Sequence, residues 1–330
     1  MDYGNELAIG IDIGGTNTKY GIVNHRGVIL QKGELKTDIY EKVEPFIDAL
    51  YEKLAPIVDL NSGEGALKGI GIGAPNANYY NGTIEHAPNL NWKGVIPFAR
   101  MVSERFGLPC SITNDANAAA VGEMSYGAAR GMKNFIMITL GTGVGSGIVA
   151  NGQLIYGEDG FAGELGHTIV RYGGRKHPST GLLGSLEAYA SATGIVVTAK
   201  EMIRDSAEPS LLRDLNDELT SKTIFESALK GDKLAREVFR FTGQVLGEAL
   251  ANFVMFSSPE AIILFGGVIK AGDLLLEPTK QYMEKNLLPV FQNKVKIIFS
   301  ELEEADAAIL GASALVWEMK YEDSRFRSSL

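Results

Sequence analysis

Two short segments hold most of the chemistry this sequence could perform. The first, DIGGTNTKYG at Asp12–Gly21, sets a carboxylate beside a glycine-rich corner. Gly14 and Gly15 let a chain turn sharply with backbone N–H groups directed outward, a nest suited to phosphate oxygens, and Thr16 adds a hydroxyl. Asp12 cannot touch phosphate without repulsion, but it can hold a hydrated Mg2+ that does. The second, LGTGVGSGIV at Leu140–Val149, repeats the theme with Gly141, Thr142, Gly143 and Gly145. Either corner alone reads equally well as a plain glycine turn, whereas two in one chain favour phosphate binding. Neither is a G-x-x-x-x-G-K-[ST] loop, and neither opens a long helix as a dinucleotide fingerprint does.

Between the corners lies TNDANAAAVGE, Thr113–Glu123. Asn114 and Asp115 fall where a strand gives way to an alanine-rich helix. The helix dipole favours a carboxylate there, which serves as an N-cap, as a general base for an attacking hydroxyl, or as both. A third cluster is GELGH at Gly163–His167, followed by Leu186-Glu187-Ala188. Glu164 and His167 are spaced to hydrogen-bond vicinal sugar hydroxyls, although a lone histidine is as readily structural. Gly266 and Gly267 in FGGV would let a flat adenine lie against the backbone.

The elements that must position these residues follow from periodicity. Leu7–Asp12, Tyr20–Val23 and Val28–Leu35 read as a three-stranded meander, then Glu41–Val58 as a helix, Leu67–Gly73 as a buried strand and Val95–Phe106 as an amphipathic helix. Cys110–Thr113 reads as a strand running into a helix over Asn114–Met124. The pattern then restarts with strands at Phe135–Leu140, Ser146–Val149 and Gln153–Tyr156. AIGIDIGGTNTKYGIV and FIMITLGTGVGSGIV thus read as one unit used twice. Helices are expected over Gly184–Arg204, Asp232–Phe256, Leu274–Leu287 and Ala305–Met319, with strands at Ala261–Phe265 and Val295–Phe299. Ala307, Ala308, Gly311 and Ala312 give the last helix a side that another helix can approach closely. The final DSRFRSSL is expected to fray.

Composition narrows the classes. The chain has 330 residues, 45% hydrophobic, too apolar for disorder and long enough that two domains are expected. A net charge of −9 argues against a nucleic-acid partner. The single cysteine, Cys110, excludes an internal disulfide and a cysteine-rich zinc cage, and suits a reducing compartment. No leader pattern and no apolar run of about 20 residues is evident, so the sequence reads as cytoplasmic, with no membrane association.

In order, DIGGTNTKYG, TNDANAAAVGE, LGTGVGSGIV, LFGGVI and DAAILGASAL resemble the phosphate, connecting and adenosine motifs of the sugar kinase/hexokinase/actin-like ATPase superfamily. GAPN, ELGH and LEAYASATG resemble the ROK family within it, which holds bacterial glucokinases, kinases of related sugars and transcriptional repressors. The resemblance runs from about Leu7 to Trp317. It implies an α/β fold of two actin-like ATPase (ribonuclease H-like) domains with a cleft between them: a smaller one over 1–113 plus about 305–330, and a larger one over 114–304. It implies an ATP- and Mg2+-dependent hexose kinase acting on the 6-hydroxyl of glucose. N-acetylglucosamine, N-acetylmannosamine, fructose, mannose and allose stay open as substrates, as does a non-catalytic sugar sensor. A sensor of the repressor type would carry a DNA-binding module, for which the sequence leaves no room before Asp12. A homodimer is compatible with the resemblance, though no sequence feature demands it.

Carried over by position, Asp115 matches the catalytic base and Asp12 the carboxylate near Mg2+. Gly14, Gly15, Thr16, Thr142 and Gly143 match phosphate contacts, and Gly266 and Gly267 the adenosine loop. Asn114, Glu164, His167 and Glu187, with Asn89 in HAPNLNW, match sugar ligands. One departure is large. The family's zinc-binding C-x-C-G-x-x-G-C-x-E segment is here HPSTGLLGSLE, His177–Glu187. The three thiolate positions are expected at His177, Ser179 and Gly184, so no structural zinc is expected. Packing through Leu182, Leu183 and Leu186 would then have to hold Glu187, and one ring nitrogen of His167 would need another partner.

Overall fold

The computed structural model describes residues 6–61, 67–215, 218–303 and 306–326. The chain divides into two compact units, Met1–Met132 with Leu154–Gly163 and Glu301–Leu330, and Lys133–Gln153 with Glu164–Ser300.

The elements run β1 (Leu7–Ile13), β2 (Asn17–Asn24), β3 (Ile29–Lys36), α1 (Val43–Asn61), β4 (Leu67–Gly73), β5 (Ala77–Asn78), β6 (Thr83–Glu85), β7 (Val95–Ile96), α2 (Phe98–Phe106), β8 (Cys110–Thr113) and α3 (Asp115–Tyr126). They continue with β9 (Phe135–Leu140), β10 (Val144–Ala150), β11 (Gln153–Leu154), α4 (Glu187–Ala190), α5 (Ala192–Asp205), α6 (Ser221–Leu229), α7 (Lys233–Ser257), β12 (Ala261–Phe265), α8 (Asp273–Lys285), β13 (Lys296–Phe299) and α9 (Ala307–Phe326). The two main sheets have the same plan, β3-β2-β1-β4-β8 and β11-β10-β9-β12-β13. In each, an antiparallel hairpin shares its first strand with a parallel run, β1-β4-β8 in one sheet and β9-β12-β13 in the other. The duplicated sequence unit is therefore a duplicated topology.

In the first unit, the side-chain alternation of β1 decides where chemistry can sit. Ile9, Ile11 and Ile13 are buried with Phe46 and Leu50 of α1 and Phe98 and Val102 of α2. The other face carries Gly10 and then Asp12. Gly10 and, on β4, Gly71 lie directly against the α9 backbone at Ile309 and Ala312. The small-residue side of α9 also receives α3: a β-carbon on Gly122 would lie 2.8 Å from Gly311 Cα. This packing keeps α3 in the first unit, so the compact unit extends to Met132 rather than ending at Thr113. The expected boundary near Ala305 lies outside the described residues.

In the second unit, Ile136, Ile138 and Leu140 of β9 and Ile262 and Leu264 of β12 share a core with Val238, Leu246 and Leu250 of α7 and Leu275 and Met283 of α8.

Three local expectations need correction, and one helix was not expected. Val95–Phe106 is not one helix: Pro97 biases Ile96 toward extended backbone, so Val95–Ile96 pairs with β6 and α2 starts at Phe98. Gly184–Arg204 is broken at Ser191, whose extended backbone and hydroxyl, accepting from Gly194 N–H at 3.0 Å, end α4 and cap α5. Helix α6, which sequence reading passed over, is announced by a reciprocal Thr220/Thr223 capping box. Asp323–Phe326 continues α9 instead of fraying, and Arg327–Leu330 lie outside the described residues. Among the described residues no helix is long and apolar enough to cross a membrane.

Candidate active site

In the first unit, sheet register sets the site. Asp12 of β1 pairs with Gly73 of β4, and Gly73 with Thr113 of β8, so Asp12 and the start of α3 share one row at the parallel strand ends. Asn114 caps α3, its Oδ1 accepting from Ala116 N–H at 2.8 Å and Asn117 N–H at 3.4 Å. Such a cap is worth about 1 kcal/mol, and it fixes the backbone that presents Asp115. The capping role considered for Asp115 thus falls to Asn114. Asp115 Oδ1 accepts from Ala116 N–H at 2.8 Å.

Both carboxylates are pushed toward the protonated form, Asp12 in part by Asp115. Burial, then the like charge of Asp115, raises the Asp12 carboxyl from 3.8 to about 6, against a pull from Lys19. Lys19 stands opposite Asp12 in the β1–β2 register. Asp115 keeps a solvent-accessible side chain, yet desolvation by the crowded protein around it raises its carboxyl too, opposed by backbone N–H donors. A carboxylate whose proton affinity is raised and whose backbone is rigid suits general-base work.

The first glycine corner is closed by Gly14 N–H donating to Asn17 O at 3.0 Å, and Thr16 is exposed beside it. Asn89 stands against this corner, its carbonyl oxygen 2.6 Å from where a β-carbon of Gly15 would be. Its loop is anchored by buried Leu90 and Trp92, the indole N–H of Trp92 donating to Tyr40 O at 3.0 Å. Asp12, Gly14, Gly15, Thr16, Asn89, Asn114 and Asp115 therefore belong to one end of one unit.

The second unit gathers the rest. Glu187 begins α4, and its Oε2 accepts from Val144 N–H at 2.6 Å. Gly143 is required by this contact, because a β-carbon there would overlap the Glu187 carboxylate. Glu187 Oε1 lies 2.6 Å from His177 Nε2. His177 Nδ1 accepts from Thr180 N–H at 3.2 Å and faces Ser179 Oγ at 3.2 Å. Glu164 Oε2 is 3.8 Å from His167 Nε2, and His167 Nδ1 is buried with no partner. Leu165 N–H donates to Ser146 Oγ at 3.1 Å, tying the Glu164–His167 turn to β10. Thr142 is exposed at the second corner, and Gly266 abuts Leu140 just before it, placing the FGGV turn beside that corner.

The expectation that leucines hold Glu187 is wrong in part. Leu186 is buried, but Leu182 is 40% and Leu183 50% exposed. The holding group is His177, with Val144 N–H. The expected zinc-ligand register is one residue out: counted back from Glu187, the quoted motif places its thiolates at Pro178, Thr180 and Ser185, which supply no thiolate either, and His177 stands just before them. Neither the hold of His177 on Glu187 nor Lys19 is foreseen from the sequence. Lys19 meets Asp12 through the β1–β2 register, which residue type alone does not announce.

The model of the ROK family matches residues 8–319. This chain belongs to the ROK family. The ROK chain is 38% identical to the glucokinase of Halalkalibacterium halodurans, over 93% of its own length and 94% of the relative's. It is 31% identical to a putative xylose repressor of a Caldicellulosiruptor species, over 94% of its own length and 78% of that protein's. Its fold matches a ROK family glucokinase of Streptomyces griseus solved with glucose and AMPPNP, with TM-score 0.76 and 33% identity over 94% and 98% of the two chains. The α/β architecture of paired actin-like units is thus that of its ROK neighbours.

Proposed function

We propose that this ROK protein is an ATP-dependent hexose kinase, with glucose as the expected acceptor and Asp115 as general base. The observation that carries the reading is the Asp12–Asp115 pair at one row of strand ends, beside a glycine corner. The likeness to glucokinases over nearly the whole of both chains supports it.

In the proposed reaction, Asp115 accepts the proton of the sugar hydroxyl, whose oxygen forms a bond to the γ-phosphorus as the bond to the β–γ bridging oxygen breaks. Oδ1 is held by Ala116 N–H, which leaves Oδ2 to take the proton. Asn89, Asn114, Glu164, His167 and Glu187 are assigned to sugar hydroxyls. Gly14, Gly15, Thr16, Thr142 and Gly143 are assigned to phosphate oxygens, and Gly266 and Gly267 to adenosine. Asp12, a hard oxygen donor repelled by a second carboxylate, fits a divalent cation. Mg2+ entering with ATP would be held there through water and would offset charge on the phosphate oxygens.

The test is ATP with glucose, N-acetylglucosamine, N-acetylmannosamine, mannose, allose and fructose, comparing the wild type with Asp115→Asn. Sugar phosphate from the wild type and a loss of about 10²–10⁴-fold in the variant are expected. Undiminished turnover in the variant removes Asp115 from the role. The 31% likeness to a putative xylose repressor favours a second reading, a non-catalytic sugar sensor. Sugar binding with no phosphorylation of any panel member would establish that reading instead.

A further inference from the structure

The segment from His177 to Glu187 stands where the family resemblance expects thiolates around a zinc ion, and its donors do not fit that metal. At the thiolate positions Pro178 offers no donor and Thr180 and Ser185 offer only hydroxyls, while His177 Nε2, just before them, is committed to Glu187. Among the described residues no group of three or more His, Cys, Asp or Glu side chains is arranged to hold a metal ion.

We infer that His177 is a positioning residue that holds Glu187 in its sugar-binding orientation, replacing the metal-stapled loop with a directed hydrogen bond. The inference rests on the hexose-kinase reading above.

The geometry fixes the direction of that bond. A backbone N–H can only donate, so Thr180 N–H makes His177 Nδ1 an acceptor and leaves the ring proton on Nε2. Nε2–H then donates to the Glu187 carboxylate at Oε1, 2.6 Å away, a short bond to a charged acceptor. Val144 N–H donates to the other oxygen at 2.6 Å. One donor on each oxygen fixes the plane of the carboxylate and leaves each oxygen a further lone pair for a sugar hydroxyl. The His177 side chain is 11% exposed, so water competes little for the bond.

The loop that carries His177 is closed by its own backbone. His177 N–H donates to Leu182 O at 2.8 Å, Gly181 N–H to His177 O at 2.9 Å, and Gly184 N–H to Arg175 O at 2.7 Å. The hairpin so formed brings Lys176 opposite Leu183. Val144 directly follows the Thr142–Gly143 corner, so Glu187 joins the sugar-binding loop to the phosphate corner within one unit.

The test compares wild type, His177→Leu and His177→Gln in coupled kinase assays, glucose calorimetry and thermal melts, with ¹⁵N NMR of the wild-type histidine ring. Leucine removes the donor, whereas the glutamine amide N–H can reach Oε1. His177→Leu is expected to raise KM and Kd for the sugar about tenfold or more while KM for ATP changes little. His177→Gln is expected to restore most of that loss. The ring spectrum should show Nε2 protonated and Nδ1 not. Unchanged sugar KM in His177→Leu, an equal loss in both variants, or a protonated Nδ1 overturns the role of His177 while leaving the kinase reading intact. A wild type that binds glucose without phosphorylating any hexose overturns the kinase reading, and the Kd comparison then decides for or against His177. A wild type that binds no hexose overturns both.

Discussion

Asp12 faces a second carboxylate, Asp115, on the same row of strand ends, and the two cannot ionise independently. Burial and that like charge together hold the Asp12 carboxyl at about 6, even with Lys19 across the hairpin. Active sites commonly accept such a cost because the same crowding raises the basicity of the group that must take a proton.

The cost has a pH signature. In the unfolded chain Asp12 ionises near 3.8, while in the folded protein it ionises near 6. The folded state therefore binds more protons between those values, and stability falls as pH rises through that window. Asp12→Asn removes the charge at all pH values. Its stability relative to wild type should rise from pH 4 to pH 7, by at most about 3 kcal/mol. Urea unfolding at several pH values measures this, and a difference flat with pH contradicts it.

The same pair predicts the acid limb of activity. Asp115 must be ionised to accept a proton, and desolvation raises its carboxyl. Plots of kcat/KM against pH should fall on the acid side at a pH above the ordinary carboxylate range. In Asp115→Asn the like charge on Asp12 is gone, so Asp12 should titrate lower than in wild type. Carboxyl ¹³C NMR reads this shift directly, and an unmoved Asp12 would show that the two groups are not coupled.

Gly143→Ala tests the join between the second corner and Glu187. The added β-carbon overlaps the Glu187 carboxylate and displaces it from Val144 N–H. Loss of one hydrogen bond to a charged group costs about 1.5–3 kcal/mol, so glucose affinity should fall roughly tenfold or more by calorimetry. Unchanged affinity would mean that the carboxylate relocates without loss.

Much of this was legible in the sequence because the signals were local. The two glycine corners, the Asn114–Asp115 junction and the limits of β4, β8, β9 and β12 follow from residue type and alternation over a few positions. The close side of α9 was legible from Gly311 and Ala312, since nothing but small residues permits that approach. What escaped depended on long-range partners. His177 lies 10 residues before Glu187 in a hairpin whose register no periodicity announces. The leucines offered in its place are as apolar as core residues, and only the fold reveals that Leu182 and Leu183 face solvent. Lys19 was hidden because its meeting with Asp12 depends on the length of the corner between β1 and β2.

Gly184→Ala tests the ribbon that carries His177 toward Glu187. Gly184 has φ +78°, a conformation that costs a residue with a β-carbon. A β-carbon there would also overlap the Arg171 carbonyl oxygen. That carbonyl cannot easily withdraw, because it accepts from Gly174 N–H at 2.9 Å, while Gly184 O accepts from Val170 and Arg171 N–H groups at 2.8 and 3.1 Å. The substitution therefore requires this ribbon to re-form. The variant should melt several degrees below wild type and bind glucose more weakly by calorimetry. An unchanged melt with sugar affinity retained would show that the ribbon yields without disturbing the hold of His177 on Glu187.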